Sequence, residues 1–302
     1  MKKQKVEVCK LGGAFFVAIY ITEFFKFFKG KTGSRLYVVS AVKGITRLLE
    51  IIFKISIQKD ISFEFKKKLI DLSLDEFKKI HEELIIDLFD ENQRNDVLYD
   101  FNSLLVELRE TVFSSFEDED QYCASILMFG ELASSKILGR YLLSIGINNT
   151  WFDARNYVVT DNNYRNAKII LIRPDFENNF SKSEILITQG FIGKSITGKF
   201  TVTGYDGSDE SAARFAITLS DKYETSINFR KDVLGVYNGD PRKEKKLELY
   251  STMTPKEYLL LVEETNSYVI RPDSILDLSG KNIIVTINSY IDLENPGTVI
   301  HD

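Results

Sequence analysis

The sequence predicts an α/β protein, a three-layer sandwich with a mainly parallel central sheet and helices on both faces. Short apolar runs typical of strands alternate along the 302 residues with segments that have a helical spacing of apolar residues. Glycine-bearing turns follow several of these runs, as expected where a strand leads into a helix. No internal repeat, heptad pattern or low-complexity tract points to another architecture.

The first half of the chain begins with two strands that each end in a glycine turn. Lys5 to Cys9 alternates apolar and polar residues and runs into Lys10-Leu11-Gly12-Gly13. Leu36 to Val39 is the second strand, and Ser40-Ala41 and Gly44 follow it directly. An aromatic-rich helix is predicted between the two strands, and a largely helical region without Gly or Pro extends over residues 46–118.

The second half continues the alternation. A helix opens at Gly130-Glu131 and closes at Gly146, and the five glycines from Gly190 to Gly207 precede another. Thr254-Pro255-Lys256-Glu257 has the spacing of a capping box. Further strands are predicted at residues 150–152, 168–172, 185–187, 226–229 and 282–287. The polar stretch at 175–182 predicts a division into an N-terminal lobe, 1–180, and a C-terminal lobe, 181–302.

Composition excludes several functional classes. Lys and Arg number 39 against 44 Asp and Glu, and the resulting net charge of −5 argues against a nucleic-acid partner. Cys9 and Cys123 are too few for a disulfide framework, and His81 and His301 cannot by themselves form a zinc site. We therefore expect no dedicated metal site and a chemistry based on glycines, lysines, carboxylates and hydroxyls.

The N-terminus imitates a signal peptide without completing the pattern. An apolar run from Leu11 to Ile21 follows a basic start, but Glu7 and Lys10 interrupt the approach and Glu23 soon breaks the run. We expect one compact cytoplasmic unit with no membrane partner.

The glycine turns predict an anion site. In a parallel sheet, ligands bind beyond the carboxyl ends of the strands, where Gly12-Gly13, Gly44 and the turn from Gly204 to Gly207 are expected to lie. Backbone N–H groups and helix N-termini attract phosphate there, and Lys10 would add an ammonium group. A single turn of this kind after a strand is more often an ordinary turn, so the prediction depends on the turns taken together.

The common nucleotide fingerprints are absent. There is no G-x-G-x-x-G, which disfavours a dinucleotide oxidoreductase. The segment from Gly193 to Lys199 imitates a P-loop, but Phe200 stands where a magnesium-binding hydroxyl is required, and the run is predicted to be a loop within strands.

Two charged residues could hold a substrate. Arg155 follows a strand that ends in Trp151-Phe152, and its planar fork suits a carboxylate, although an isolated arginine is more often a surface or ion-paired residue. Glu131 could hold an ammonium group, or simply complement the dipole of its helix. The residues alone indicate an anion-binding α/β protein, with a kinase as one candidate.

Taken in order, the motifs resemble those of one family, the catalytic domain of aspartate kinase in the amino-acid kinase superfamily. The similarity covers essentially the whole chain. It rests on Lys10-Leu11-Gly12-Gly13, Val38-Val39-Ser40-Ala41-Val42-Lys43-Gly44-Ile45-Thr46, Phe129-Gly130-Glu131-Leu132-Ala133-Ser134, Trp151-Phe152-Asp153-Ala154-Arg155, Thr188-Gln189-Gly190-Phe191-Ile192-Gly193, Gly207-Ser208-Asp209, Gly235-Val236-Tyr237 and Asp240-Pro241-Arg242.

The resemblance implies the amino-acid kinase fold and ATP- and Mg²⁺-dependent phosphorylation of the aspartate side-chain carboxylate, early in lysine, threonine and methionine synthesis. It also implies a homodimer. Lys10 and Asp209 would be catalytic. The resemblance further assigns substrate binding to Ser40, Glu131, Arg155 and Ser208, and phosphate or ATP binding to Gly12, Gly13, Gly207, Lys231, Asp232, Tyr237 and Arg242.

Several positions depart from the family pattern. Ala14-Phe15 replaces two hydroxyl residues, Tyr205 replaces an arginine that grips substrate, and Tyr268 replaces a phosphate-binding lysine. Leu234 stands in place of an acid. Three functions therefore stay open: an aspartate kinase of reduced activity, a kinase-like binding or regulatory protein, and a kinase for another carboxylate acceptor.

The family's regulatory domains are not recognisable in this sequence. We therefore expect no intrinsic feedback by lysine or threonine.

Overall fold

The computed structural model describes residues 3–239 and 246–302. In chain order its strands are β1 (Lys5–Leu11), β2 (Ser34–Val39), β3 (Thr150–Trp151), β4 (Val158–Thr160), β5 (Ile169–Ile172), β6 (Ile185–Gln189), β7 (Ile192–Ser195), β8 (Phe200–Val202), β9 (Glu224–Lys231), β10 (Thr252–Met253), β11 (Ile284–Ser289) and β12 (Thr298–Ile300). Its helices are α1 (Ala18–Phe28), α2 (Ile45–Ile57), α3 (Phe63–Leu88), α4 (Glu91–Val112), α5 (Glu119–Leu127), α6 (Phe129–Ser144), α7 (Gly207–Ser220), α8 (Pro255–Thr265) and α9 (Pro272–Leu278).

A large sheet with the strand order β10-β12-β11-β9-β1-β2-β6-β3 forms the centre of the fold. Every pairing from β11 across to β3 is parallel, and β12 runs antiparallel to β11 at one side. The predicted α/β class and mainly parallel sheet are confirmed. Strands β1 and β2 lie at the centre and are largely buried on both faces, as expected for parallel strands covered on both sides.

A second sheet, with the order β5-β4-β7-β8, stands beside the first. Within it β7 and β8 pair in antiparallel register, Ile192 opposite Val202 and Lys194 opposite Phe200. The segment that imitates a P-loop therefore forms a β-hairpin, and the prediction that it is not a phosphate loop holds. The predicted division near residue 180 stays a prediction.

The predicted helical region at 46–118 consists of α2, α3 and α4, with a cap at Ser62 whose hydroxyl accepts from Phe65 N–H at 3.3 Å. In the core between α3 and α4, the His81 ring stacks on Phe101 and lies 4.4 Å, centroid to centroid, from Phe77. His81 is fully buried, and burial lowers its pKa to about 4. This imidazole is therefore a neutral core side chain.

The capping box at Thr254 is confirmed: its hydroxyl accepts from Glu257 N–H, and the glutamate accepts from Thr254 N–H in return. Among the described residues, no helix combines the length and the apolar composition that crossing a bilayer requires.

We expect His81 to make folding sensitive to mild acid. Its pKa is about 4 in the folded protein against an ordinary 6.5, so between these values only the unfolded chain binds the proton. Stability should fall by about 2 kcal/mol from pH 7 to pH 5. Urea unfolding of the wild type and of His81→Phe at both pH values measures this loss. An equal loss in the two proteins would contradict the assignment.

Candidate active site

Two lysines from neighbouring strands converge on one buried carboxylate. Lys10, in β1, places Nζ 2.7 Å from Asp209 Oδ1, and Lys231, at the end of β9, places Nζ 2.8 Å from Oδ2. Asp209 lies in the first turn of α7 and is 1% exposed. Three residues far apart in sequence thus form one buried ionic cluster with an excess positive charge.

The charges in this cluster depend on one another. Burial opposes the ionisation of Asp209, but the charges of Lys10 and Lys231 outweigh it and hold the pKa of that carboxyl below its ordinary value. Burial lowers the pKa of Lys10, and the Asp209 charge offsets part of that effect. Asp209 therefore fixes the position of both ammonium groups.

Glycines allow the backbone to come close to this cluster. A Cβ on Gly13 would lie 2.5 Å from the carbonyl oxygen of Ala41, and one on Gly190 would lie 2.6 Å from Ser208 Cβ. The Cβ position of Gly12 is 3.6 Å from Lys10 Nζ, so the turn after β1 passes beside the ammonium group. The predicted Gly12-Gly13 turn is thus required by close packing and lies next to Lys10.

Gly207 and Ser208 begin α7 immediately before Asp209. Gly207 faces Thr203 so closely that a Cβ would lie 1.9 Å from the threonine hydroxyl. The N-terminus of this 14-residue helix adds positive potential beside the lysines.

Glu131 lies at the start of α6 and is 3% exposed. Its Oε1 accepts a hydrogen bond from Ala41 N–H at 3.1 Å, and its Oε2 has no partner among the described residues. Ser134, one turn further along, donates to Ser40 O at 2.7 Å. These two hydrogen bonds join α6, which carries Glu131, to the loop after β2, which carries Ser40.

The Arg155 side chain is engaged within its own turn. Its Nε lies 2.9 Å from Asp153 Oδ1 and its Nη2 lies 2.6 Å from Oδ2, which is a two-pronged ion pair. Nη1 contacts Met128 Sδ at 3.2 Å, just before α6. A substrate carboxylate would compete with Asp153 for this fork.

A cavity of about 860 Å³ opens between the start of α7, the end of β9 and α8. Its wall includes the predicted nucleotide-binding residues Lys231, Asp232 and Tyr237. Arg242 lies outside the described residues. The apolar part of the wall is formed by Val233, Leu234, Val236, Leu261, Val262, Val269 and Ile291. Lys231 belongs to both the cavity and the ionic cluster, so the two adjoin.

Tyrosines occupy the rim of this cavity. Tyr205 is 85% exposed, and the Tyr268 hydroxyl donates to Asp206 Oδ2 at 3.3 Å. Arg271 donates to Tyr205 O at 3.2 Å and also pairs with Asp273. The rim therefore combines the phenols of Tyr205 and Tyr268 with the Asp206 side chain, and Arg271 contacts it through the Tyr205 backbone.

Other residues that attracted attention in the sequence lie elsewhere. Phe15 is fully buried and packs edge-on against Phe24 and Tyr290, so its ring belongs to the core. Arg165 pairs with Asp120 at 3.6 Å on the surface. Lys194 stacks over Phe200 within the hairpin.

Sequence reasoning missed Gln189 as a supporting residue. Its side-chain amide donates to Ser135 Oγ at 2.8 Å, and its Oε1 accepts from Ala154 N–H at 2.9 Å. Gln189 thereby connects α6 to the turn of Arg155 at the end of β6. The signal available in the sequence was a glutamine between an apolar run and a glycine.

The described residues contain no group of three or more His, Cys, Asp or Glu side chains arranged to hold a metal ion. Both oxygens of Asp209 already face lysines. Mg²⁺ commonly keeps several waters and binds through substrate phosphates with few protein ligands. The site thus fits a metal ion that arrives with a nucleotide, rather than one held in advance by the protein.

Comparison with known proteins identifies the family. The model of the amino acid kinase family matches residues 5–290. The chain belongs to that family. Among curated relatives it is 25% identical over 281 residues to a bifunctional aspartokinase/homoserine dehydrogenase 1 of Arabidopsis thaliana, covering 90% of this chain and 30% of that protein. It is 27% identical over 266 residues to the aspartokinase of Chlamydia muridarum, covering 87% and 56%.

Solved structures of two aspartate kinases share the fold. E. coli aspartokinase III in complex with aspartate and ADP matches with a TM-score of 0.82 at 22% identity, over 98% of this chain and 64% of that one. An aspartate kinase of Clostridium acetobutylicum matches with a TM-score of 0.70 at 18% identity, over 97% and 62%. The chain therefore spans less than two-thirds of the length of these relatives.

We expect Asp209→Asn to destabilise the protein by about 3 kcal/mol or more, because it leaves two buried lysines facing each other without a counter-charge. Asp206→Asn is the matched control. Asp206 has a left-handed backbone conformation that asparagine also tolerates. Among the described residues, its side chain forms a hydrogen bond only with the Tyr268 hydroxyl. Urea unfolding of both variants measures the difference. Equal losses would show that Asp209 does not hold the cluster together.

Proposed function

We propose that the protein transfers the γ-phosphate of ATP to the side-chain carboxylate of L-aspartate, forming 4-phospho-L-aspartate and ADP. The observation that carries this proposal is the Lys10–Asp209–Lys231 cluster beside a nucleotide-sized cavity. The curated relatives named above are aspartokinases or bifunctional aspartokinases, which supports the choice of acceptor.

The reaction needs no general base. A free aspartate carboxyl has a pKa of about 3.9, so at neutral pH the acceptor is already an anion. One carboxylate oxygen attacks the γ-phosphorus, the bond from that phosphorus to the β–γ bridging oxygen breaks, and ADP leaves with the electron pair. The activation barrier comes from the repulsion between the two anions and from the negative charge on the transferring phosphoryl group. The protein must offset both.

Lys10, Lys231 and Asp209 have different roles in stabilising the charge of the phosphates. Lys10 supplies positive charge at the transferring phosphoryl group, together with N–H groups near Gly12, Gly13 and the start of α7. Lys231 supplies charge where the cavity meets the cluster. Asp209 holds both ammonium groups in place, and Mg²⁺ bound to the nucleotide would neutralise further phosphate charge.

On the acceptor side, Glu131 would bind the ammonium group through its unpartnered Oε2, and Ser40 and Ser208 would line the path of the phosphoryl group. Arg155 would contact a substrate carboxylate if it shared its fork with Asp153. On the nucleotide side, Asp232 and Tyr237 would shape the cavity. The sequence resemblance adds Arg242 as a phosphate-binding residue.

A weakened kinase, or a kinase for another acidic acceptor, is the second candidate. Tyr205 and Tyr268 at the rim of the cavity favour it, because phenols stand where the resemblance expects cations. We also propose a cytoplasmic homodimer that acts early in lysine, threonine and methionine synthesis, without a nucleic-acid or membrane partner.

We expect the purified protein to form aspartyl hydroxamate from MgATP, aspartate and hydroxylamine. Lys10→Ala should reduce the rate tenfold to a hundredfold, roughly the value of one charge-assisted contact. Lys5→Ala is the matched control, because Lys5 lies on the same strand but pairs with Glu224 at the surface. A colorimetric hydroxamate assay measures all three proteins.

The outcomes of this assay separate the candidates. Product from aspartate that depends on Lys10 supports the proposal. ATP binding without product from any acidic acceptor would indicate a binding or regulatory protein, and product from another acid alone would identify a different acceptor. An equal rate in the wild type and in Lys10→Ala contradicts the role of the cluster.

We expect Tyr268→Lys to raise ATP affinity about tenfold, because it adds a cation at a position on the cavity rim where the phenol supplies no positive charge. Tyr99→Lys, on the exposed face of α4, is the control for a general increase in positive charge. Titration calorimetry with ATP measures both variants. Unchanged affinity in Tyr268→Lys would mean that other groups already replace the missing cation.

A further inference from the structure

Glu131 has an environment that suits a carboxylic acid better than a carboxylate. An ionised carboxylate offers about four acceptor positions, but the described residues give Glu131 one side-chain hydrogen bond, from Ala41 N–H to Oε1. Oε2 is buried and unpartnered. An anion held in this way would lose its hydration and regain little of it from the protein.

The groups around Glu131 are nearly all neutral. Gly130 directly precedes Glu131 on α6. A Cβ on Gly130 would meet the apolar side chains of Ala41, Ile45 and Leu49. The Ser134 hydroxyl, on the same helix, donates to Ser40 O and to no oxygen of the Glu131 side chain. No charged group of α2 or of the loop after β2 acts on Glu131 among the described residues.

Lys10, from β1, is the one charged group among the described residues that acts on Glu131, and its ammonium is already engaged by Asp209 at 2.7 Å. Burial raises the pKa of Glu131 to about 8, and the Ala41 N–H, the N–H of Glu131 itself and the more distant Lys10 charge offset only part of the rise.

We propose that Glu131 carries a proton in the empty protein at neutral pH and releases it when an acceptor with an ammonium group binds. This inference rests on the proposed function, because it takes aspartate as the acceptor. The ammonium donates to Oε2 and supplies the missing counter-charge. The O–H bond of the carboxyl group breaks, the proton passes to the buffer, and no other bond changes.

Proton release makes Glu131 a specificity-determining residue. An acceptor with an ammonium group replaces the proton by an ion pair, whereas succinate has the two carboxylates of aspartate but no such group. The site therefore favours amino acids over plain dicarboxylates. It binds them more tightly as pH rises toward 8, because less work is then needed to remove the proton.

Calorimetry measures the proton directly. Aspartate binding at pH 7 in HEPES and in Tris, which differ in ionisation enthalpy, should show release of about one proton per aspartate bound. Glu131→Gln and succinate binding should show none. Glu224→Gln, a surface carboxylate paired with Lys5, should behave like the wild type. Aspartate binding by the wild type without proton release overturns this inference and leaves the kinase proposal standing.

A second measurement needs no ligand. Because the folded pKa of Glu131 is about 8 against an ordinary 4.5, its stabilising contribution is complete below pH 4.5 and is lost as pH rises to 8. Glu131→Gln, a neutral mimic of the protonated acid, should gain stability relative to the wild type over that range. A difference in melting temperature that does not change from pH 5 to pH 8 overturns the inference. Failure of the wild type to bind aspartate would instead contradict the proposed function.

Discussion

The rest of the site depends on one buried ionic cluster, in which Asp209 holds Lys10 and Lys231 at the carboxyl end of the central sheet. A single carboxylate between two ammonium groups leaves excess positive charge in a place that water hardly reaches. Its attraction for an anionic ligand is strong because the surroundings have a low dielectric constant. The two ammonium groups are also held in position before any ligand binds. Removing bulk water while keeping the cations in place is what phosphoryl transfer between two anions requires.

Two buried carboxyl groups lie near Lys10 and differ in their charge. Asp209 has two cationic partners and stays ionised, whereas Glu131 has one backbone donor and one unpartnered oxygen. Both side chains are buried, but Asp209 is an ion-paired anion, whereas Glu131 stays protonated until a cation binds. This contrast separates the phosphate side of the site from the acceptor side without needing a histidine.

Much of the fold follows from signals that are local in sequence. Apolar strands such as β1 and β2, the glycine turn after Lys10 and the capping box at Thr254 are set by neighbouring residues, and the sequence predicts them. Contacts between distant segments do not follow in this way. The two-pronged pair between Arg155 and Asp153, the burial of Phe15 in the core and the phenol-lined rim at Tyr268 depend on how elements pack. Short strands such as β4 and β12 were missed because three residues carry too little periodicity.

A structure of the protein with a non-hydrolysable ATP analogue and aspartate tests the central claim most directly. The account predicts an oxygen of the terminal phosphate within hydrogen-bond distance of Lys10 Nζ, with Lys231 beside the same nucleotide and Asp209 still bound to both lysines. A nucleotide bound in the cavity with no phosphate oxygen within about 4 Å of Lys10 Nζ would contradict the claim that this cluster drives the transfer.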